Sequence, residues 1–166
     1  MSVLPIRRFP DPILKAQTCR VERIDERVRR LIDEMVETMR RHPRCVGLAA
    51  PQVGSHLRIA VMDVSVHPKA GKSHGLLTLV NPELDEPEGG IIGREGCLSV
   101  PDFTGDVRRL ARLRLRALDQ DGQQLEWRLE GFEAVVAQHE VDHLHGTLFL
   151  DRVESRADVF RRSTYR

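Results

Sequence analysis

A chain of 166 residues, 40% hydrophobic and 31% charged, can bury a core and is too apolar for a disordered tail. Its 26 Lys plus Arg against 25 Asp plus Glu give a formal charge of +1, which argues against a dominant nucleic-acid footprint. No window reaches the roughly 20 apolar residues that cross a bilayer, and the opening MSVLPIRRFPDPILK is too broken by charge and proline for a signal peptide.

The elements follow in chain order. Pro5, Pro10 and Pro12 mark an extended N-terminal arm. Ile24, Val28, Leu31, Ile32, Met35, Val36 and Met39 recur at helical spacing over Ile24 to Arg41, which predicts an N-terminal amphipathic helix closed by Pro43. Leu57 to Val64 reads as a strand, and Leu76 to Val80 as a second that Asn81-Pro82 should halt. A Pro/Gly/Lys-containing loop, His67 to His74, separates the two. Leu110 to Leu118 alternates Leu113, Leu115 and Ala117 with Arg112, Arg114 and Arg116. With the turn Asp119 to Gly122 and the run Leu125 to Leu129 it predicts a hairpin. Gly131 to His145 predicts a second helix, with Phe132, Val135, Val136, His139 and His143 on one stripe and Gly146 ending it. Glu154 to Arg166 is expected as a short helix or frayed tail. No repeat or linker divides the chain, so residues 1–166 are expected to form one domain of α+β class, its antiparallel strands packed around the histidine-bearing helix.

His139-Glu140-Val141-Asp142-His143 matches H-E-x-x-H. Residues four apart on a helix lie one above the other, so both imidazoles can reach one metal ion. Glu140, one step round, can touch a water on that ion and move its proton. Chance can place two His and a Glu on a charged helix, but buried imidazoles and carboxylates without partners are costly. A third protein ligand is needed. Phe149 stands where a metzincin has its third His, only Glu154 and Asp158 remain downstream, and His145 points to another face. Upstream acids and Cys97 remain. The cysteines, Cys19, Cys45 and Cys97, are odd in number and widely spaced, which argues against a disulfide framework.

Three segments carry a resemblance. Gly47-Leu48-Ala49-Ala50-Pro51-Gln52, Glu95-Gly96-Cys97-Leu98-Ser99 and Gln138-His139-Glu140-Val141-Asp142-His143-Leu144 resemble the signature segments of peptide deformylases, in order and spacing. The arm Phe9-Pro10-Asp11-Pro12-Ile13-Leu14 is similar to that family's opening, so the likeness spans almost the whole chain. It implies Cys97, His139 and His143 as ligands of one divalent metal, with a fourth position left to water. Ferrous iron is implied in the cell, with zinc, nickel or cobalt in a purified sample. It further implies Glu140 as the proton carrier, and the Gln52 amide with the Leu98 N–H as oxyanion donors, each worth roughly 3–4 kcal/mol in a dry site. Val46, Gly47, Phe132, Val135 and Val136 fall at the substrate-binding positions, where the four side chains form the methionine pocket. The implied reaction is removal of the formyl group from the N-terminal methionine of nascent chains, releasing formate, in the bacterial cytoplasm and near the ribosomal exit tunnel.

Two departures stand out. Cys45 replaces a glycine of the family's first segment, and Asp102 follows EGCLSVP where a small residue is common. A side chain at either place is expected to alter affinity or substrate preference and removes no catalytic group. The basic set Arg108, Arg109, Arg112, Arg114 and Arg116 reads as a solvated strand face rather than an RNA contact, so neither a membrane nor a specific nucleic-acid partner is expected. The alternatives are a hydrolase of another N-formyl or acyl-amino compound, and a metal-binding relative that has lost catalysis.

Overall fold

The computed structural model describes residues 2–162. Two antiparallel sheets organise them. The larger has five strands in the order β1-β2-β3-β6-β7: Gly47–Ala49, Ile59–Met62, Leu77–Glu88, Arg112–Leu118 and Gln124–Glu130. The smaller, in the order β4-β5-β8, holds Ile91–Cys97, Val100–Arg109 and Val159–Arg161. Three helices accompany them: α1 at Glu26–Arg41, α2 at Gly131–Leu144 and the short α3 at Phe149–Arg152. The class is α+β.

Helix α1 starts because Asp25 accepts hydrogen bonds from the backbone N–H groups of Arg27 and Val28, satisfying two of the donors a helix start leaves open. Its buried residues Val28, Ile32, Met35 and Met39 form one stripe. They pack with Ile59 and Val61 of β2, whereas the alternate residues Ala60 and Met62 pack with Ala134 and Ala137 of α2. Strand β2 is therefore covered on both faces, which explains its unbroken apolar run. Helix α2 is buried almost all round, including Glu133, Gln138, Glu140, Asp142 and His143. It ends at Leu144, and Gly146, just past the cap, has a φ of 71° in the left-handed region. A Cβ there would come within 2.5 Å of the Lys15 carbonyl oxygen, so only glycine lets the N-terminal arm lie against the helix end.

Three sequence expectations change. Strand β3 does not stop at Asn81-Pro82 but runs on to Glu88. Asn81 sits at φ 53° beside a register shift between Val80 and Glu83, and this bulge accommodates the missing N–H of Pro82. Strands β4 and β5 were hidden by Gly93, Gly96, Gly105 and charges. Beyond Glu154 the described residues form a 3-10 turn, Arg156–Asp158, and then β8 paired to β5 rather than a helix. Residues 163–166 of that expectation lie outside the described residues.

Candidate metal centre

Cys97 is the last residue of β4, where a register shift separates the Gly96–Thr104 and Cys97–Val100 pairs. The tight turn Leu98-Ser99 then leads into β5. This end of the smaller sheet meets the face of α2 that carries His139 and His143. The Cys97 Sγ and one ring nitrogen from each histidine all lie within 4.8 Å of one another. Sγ is 3.3 Å from Nε2 of His143 and accepts from Gln52 Nε2 at 3.3 Å and from the Ser99 N–H at 3.4 Å. Burial opposes ionisation of this thiol, but His143 and His139 outweigh it and hold Cys97 well below the ordinary thiol range. Burial likewise disfavours a charged His139, yet Cys97 and Glu95 raise it well above its usual value.

One thiolate and two imidazoles, converging from two elements, are a donor set that fits a single divalent cation with a coordination place to spare. Two buried polar atoms agree with that reading. Glu140 Oε2 and His143 Nδ1 have no hydrogen-bond partner among the described residues, a costly arrangement unless something in the cleft engages the carboxylate. Burial lifts the Glu140 carboxyl to about 7, against the pull of His139 and His143.

The centre opens into a cleft of about 630 Å³. Its lining brings together all the residues proposed for chemistry or substrate except the deeper His143: Gln52, Cys97, Leu98, His139 and Glu140 around the centre, and Val46, Gly47, Phe132, Val135 and Val136 along one wall. Gln52 reaches in from a 3-10 turn at Ala50–Val53, its Oε1 accepting from Ala49 N–H at 2.9 Å while Nε2 also donates to Ser99 Oγ at 3.2 Å. Gly47 lies against Glu140 so closely that a Cβ would fall 2.3 Å from Oε1. Cys45 lines the same cleft and donates its thiol to the Gly47 carbonyl at 3.1 Å, whereas Asp102 is exposed on β5 and is not part of the lining.

A network behind the centre was not legible in advance. His139 Nδ1 meets Glu95 Oε2 at 2.8 Å, and the Glu95 carboxylate takes two hydrogen bonds from Arg109, at 2.7 and 2.9 Å. Arg109 also donates to Asp142 at 2.6 Å, and Arg152 closes the chain on Asp142. Arg109 is thus no member of the solvated face: β5 alternates so that Val107 and Arg109 point inward while Arg108 points out. Arg112, Arg114 and Arg116 do lie on a wet face, paired with Glu88, Asp85 and Glu83. Glu95 and Asp142 both sit inside the signature segments, which was the available signal.

Known proteins supply the comparison. The family model for polypeptide deformylase matches residues 3–159. The peptide deformylase of Syntrophobacter fumaroxidans is 43% identical over 163 residues, covering 98% of this chain and 94% of that protein. That of Halothermothrix orenii is 46% identical over 153 residues, covering 92% and 95%. Among solved structures, the peptide deformylase of Thermotoga maritima superposes with a TM-score of 0.85 at 38% identity, covering 93% of this chain and all of that one. The Ehrlichia chaffeensis enzyme in complex with actinonin gives 0.87 at 37%, covering 95% and 91%. A match of this length and identity, together with the shared fold, makes the chain a member of the polypeptide deformylase family.

Proposed function

We propose that this chain hydrolyses the formyl amide of N-formylmethionyl peptides, releasing formate and a free amino terminus, with Cys97 of β4 and His139 and His143 of α2 holding one divalent metal ion. The observation that carries the reading is the convergence of those three donor atoms within 4.8 Å beside the unpartnered, buried Oε2 of Glu140. The ion would supply Lewis-acid polarisation of water and of the formyl carbonyl at neutral pH. Glu140 Oε2 would take the proton of the attacking water and return it to the departing amine nitrogen. The Gln52 amide and the Leu98 N–H, both from residues lining the cleft, are proposed to hold the developing oxyanion. Val46, Phe132, Val135 and Val136 present apolar surface for an unbranched thioether side chain, and side-chain-free Gly47 admits the peptide backbone to the wall it shares with Glu140.

A thiolate with two imidazoles suits ferrous iron, zinc, nickel or cobalt, and we assign Fe2+ as the metal in the cell. Among the described residues no helix is long and apolar enough to cross a membrane. The proposed setting is the bacterial cytoplasm, on nascent chains near the ribosomal exit tunnel. Because α1, both sheets and α2 share adjoining hydrophobic clusters around one cleft, we read residues 1–166 as one catalytic domain.

The deciding assay is formate release by anaerobically purified, iron-loaded protein from formyl-Met-Ala-Ser beside formyl amines lacking methionine. Preferential release from the methionyl peptide is expected. Release from other formyl amines at equal rates would shift the assignment to a broader amidase, and no release from any would remove the enzyme reading.

A further inference from the structure

The rim of the cleft beyond Phe132 carries basic side chains that no carboxylate pairs among the described residues. The loop 67–74, which joins β2 to β3, lays His67 against Phe132 with ring centroids 4.7 Å apart, and Lys69 Nζ stands 6.0 Å from the same ring. Arg44, just before Cys45, lines the cleft with them, and its charge together with that of Lys69 adds to burial in lowering His67. Among the described residues neither Arg44 nor Lys69 forms an ion pair. Arginines elsewhere behave differently, as in Arg94 with Asp106, Arg112 with Glu88 and Arg114 with Asp85. The carboxylates lining this cleft, Glu95 and Glu140, are buried, and Glu95 is already engaged by Arg109 and His139.

Resting on the deformylase reading, we infer that the unpaired rim cations Arg44 and Lys69 make this enzyme favour formyl-methionyl peptides with an acidic side chain in the two residues after the methionine. An extended peptide advances about 3.3 Å per residue. Two residues therefore span roughly 7 Å, comparable to the 6.0 Å from the Phe132 ring to Lys69 Nζ. A methionine side chain against Phe132 thus leaves the next residues beside the two cations, both of which are exposed at the rim and open to screening by salt.

The test compares C-terminally amidated formyl-Met-Ala-Ala, formyl-Met-Glu-Ala, formyl-Met-Ala-Glu and their lysine counterparts on the metal-loaded enzyme. Amidation removes the terminal carboxylate as a second source of the same charge, and the free-acid Ala peptide reports it separately. An acidic residue should raise kcat/KM about two- to fivefold through KM, the size of one or two exposed charge pairs, and high salt should erase the gain. Arg44→Gln with Lys69→Gln should level the series while keeping turnover of the Ala peptide, and Lys69→Glu should turn the preference toward lysine. Calorimetric binding of the deformylated amides to metal-free protein should follow the same order. A flat series with normal turnover of the Ala peptide overturns the inference. Absence of formate from every peptide strikes the deformylase reading instead, and the calorimetric order then decides on the rim alone.

Discussion

Glu95 holds His139 by its Nδ1 at 2.8 Å, which leaves the other ring nitrogen turned toward Cys97. The carboxylate fixes the orientation of the ring proposed as a metal ligand and the nitrogen it turns to the centre. Burial would raise the Glu95 carboxyl, but Arg109 and His139 hold it at about 2, so it remains a carboxylate at any working pH. Glu95→Gln keeps the shape and removes the charge that Arg109, 5% exposed, requires. Metal affinity should fall about 10- to 100-fold in a chelator competition. Thermal stability should fall with it, by roughly 3 kcal/mol, because Arg109 then sits buried with only Asp142 to balance it. An unchanged affinity would reduce Glu95 to a packing residue.

Gln52 donates to Cys97 Sγ and to Ser99 Oγ from one amide nitrogen. That nitrogen faces the centre, so Gln52→Leu should cut turnover about 100- to 1000-fold, the cost of one lost oxyanion donor. Three protein donors survive the change, and metal content measured by plasma emission should stay near stoichiometric. Parallel loss of metal and turnover would assign Gln52 to holding the fold of the 3-10 turn.

Gly47 and Glu140 are in closer contact than any other residue type permits, with would-be Cβ distances of 2.3, 2.7 and 2.9 Å to Oε1, Cδ and Cγ. In Gly47→Ala the carboxyl end must swing away, since β1 is tied to β2 along its length. The expected signature is a kcat reduced by about 100-fold or more, typical of a displaced proton carrier, with metal retained. A Gly47→Ala protein with full kcat would mean that Glu140 works from a different rotamer.

How much of this was readable beforehand divides along physical lines. Cys97, His139, His143, Glu140 and Gln52 lie in contiguous signature segments, and the i, i+4 geometry of a helix already fixed how two of them meet. The hairpin β6–β7 and helix α1 announce themselves by simple periods of two and near 3.6. Strands β4 and β5 did not, because β4 is an exposed edge bearing Gly93 and Gly96, where neither alternation nor β-branching is required. The Glu95–Arg109–Asp142 network was hidden for another reason. A buried charge looks like a surface charge in one dimension until the partner, 14 or 33 residues away, is brought beside it.

Cys45 offers a chemical check on the cleft's closure. Burial, then the Glu140 carboxylate, push its thiol up to about 12, against the hydrogen bond to Gly47. Its thiol therefore stays protonated through pH 8, whereas Cys19 is exposed. Iodoacetamide at pH 8 should place a single adduct, on Cys19, in the folded, metal-loaded protein, and three after unfolding. A rapid second adduct on Cys45 in the folded protein would mean that the loop before β1 opens in solution.

Asn81 provides a control that separates stability from catalysis. Its amide donates to the Val21 carbonyl at 2.9 Å and accepts from the Val21 N–H at 2.8 Å, pinning the N-terminal arm to the bulge of β3. It does so from φ 53°, a conformation that asparagine tolerates better than alanine. Asn81→Ala would strand both backbone groups of Val21 in a buried setting and add backbone strain, together about 2–4 kcal/mol. For a chain of this size that corresponds to a melting temperature lower by roughly 10 °C. None of these contacts reaches Cys97 or α2, so the folded fraction should keep its metal affinity and kcat/KM. If scanning calorimetry shows the fall in melting temperature but kcat/KM drops with it, the bulge in β3 is coupled to the cleft and the two sheets do not act as a rigid frame.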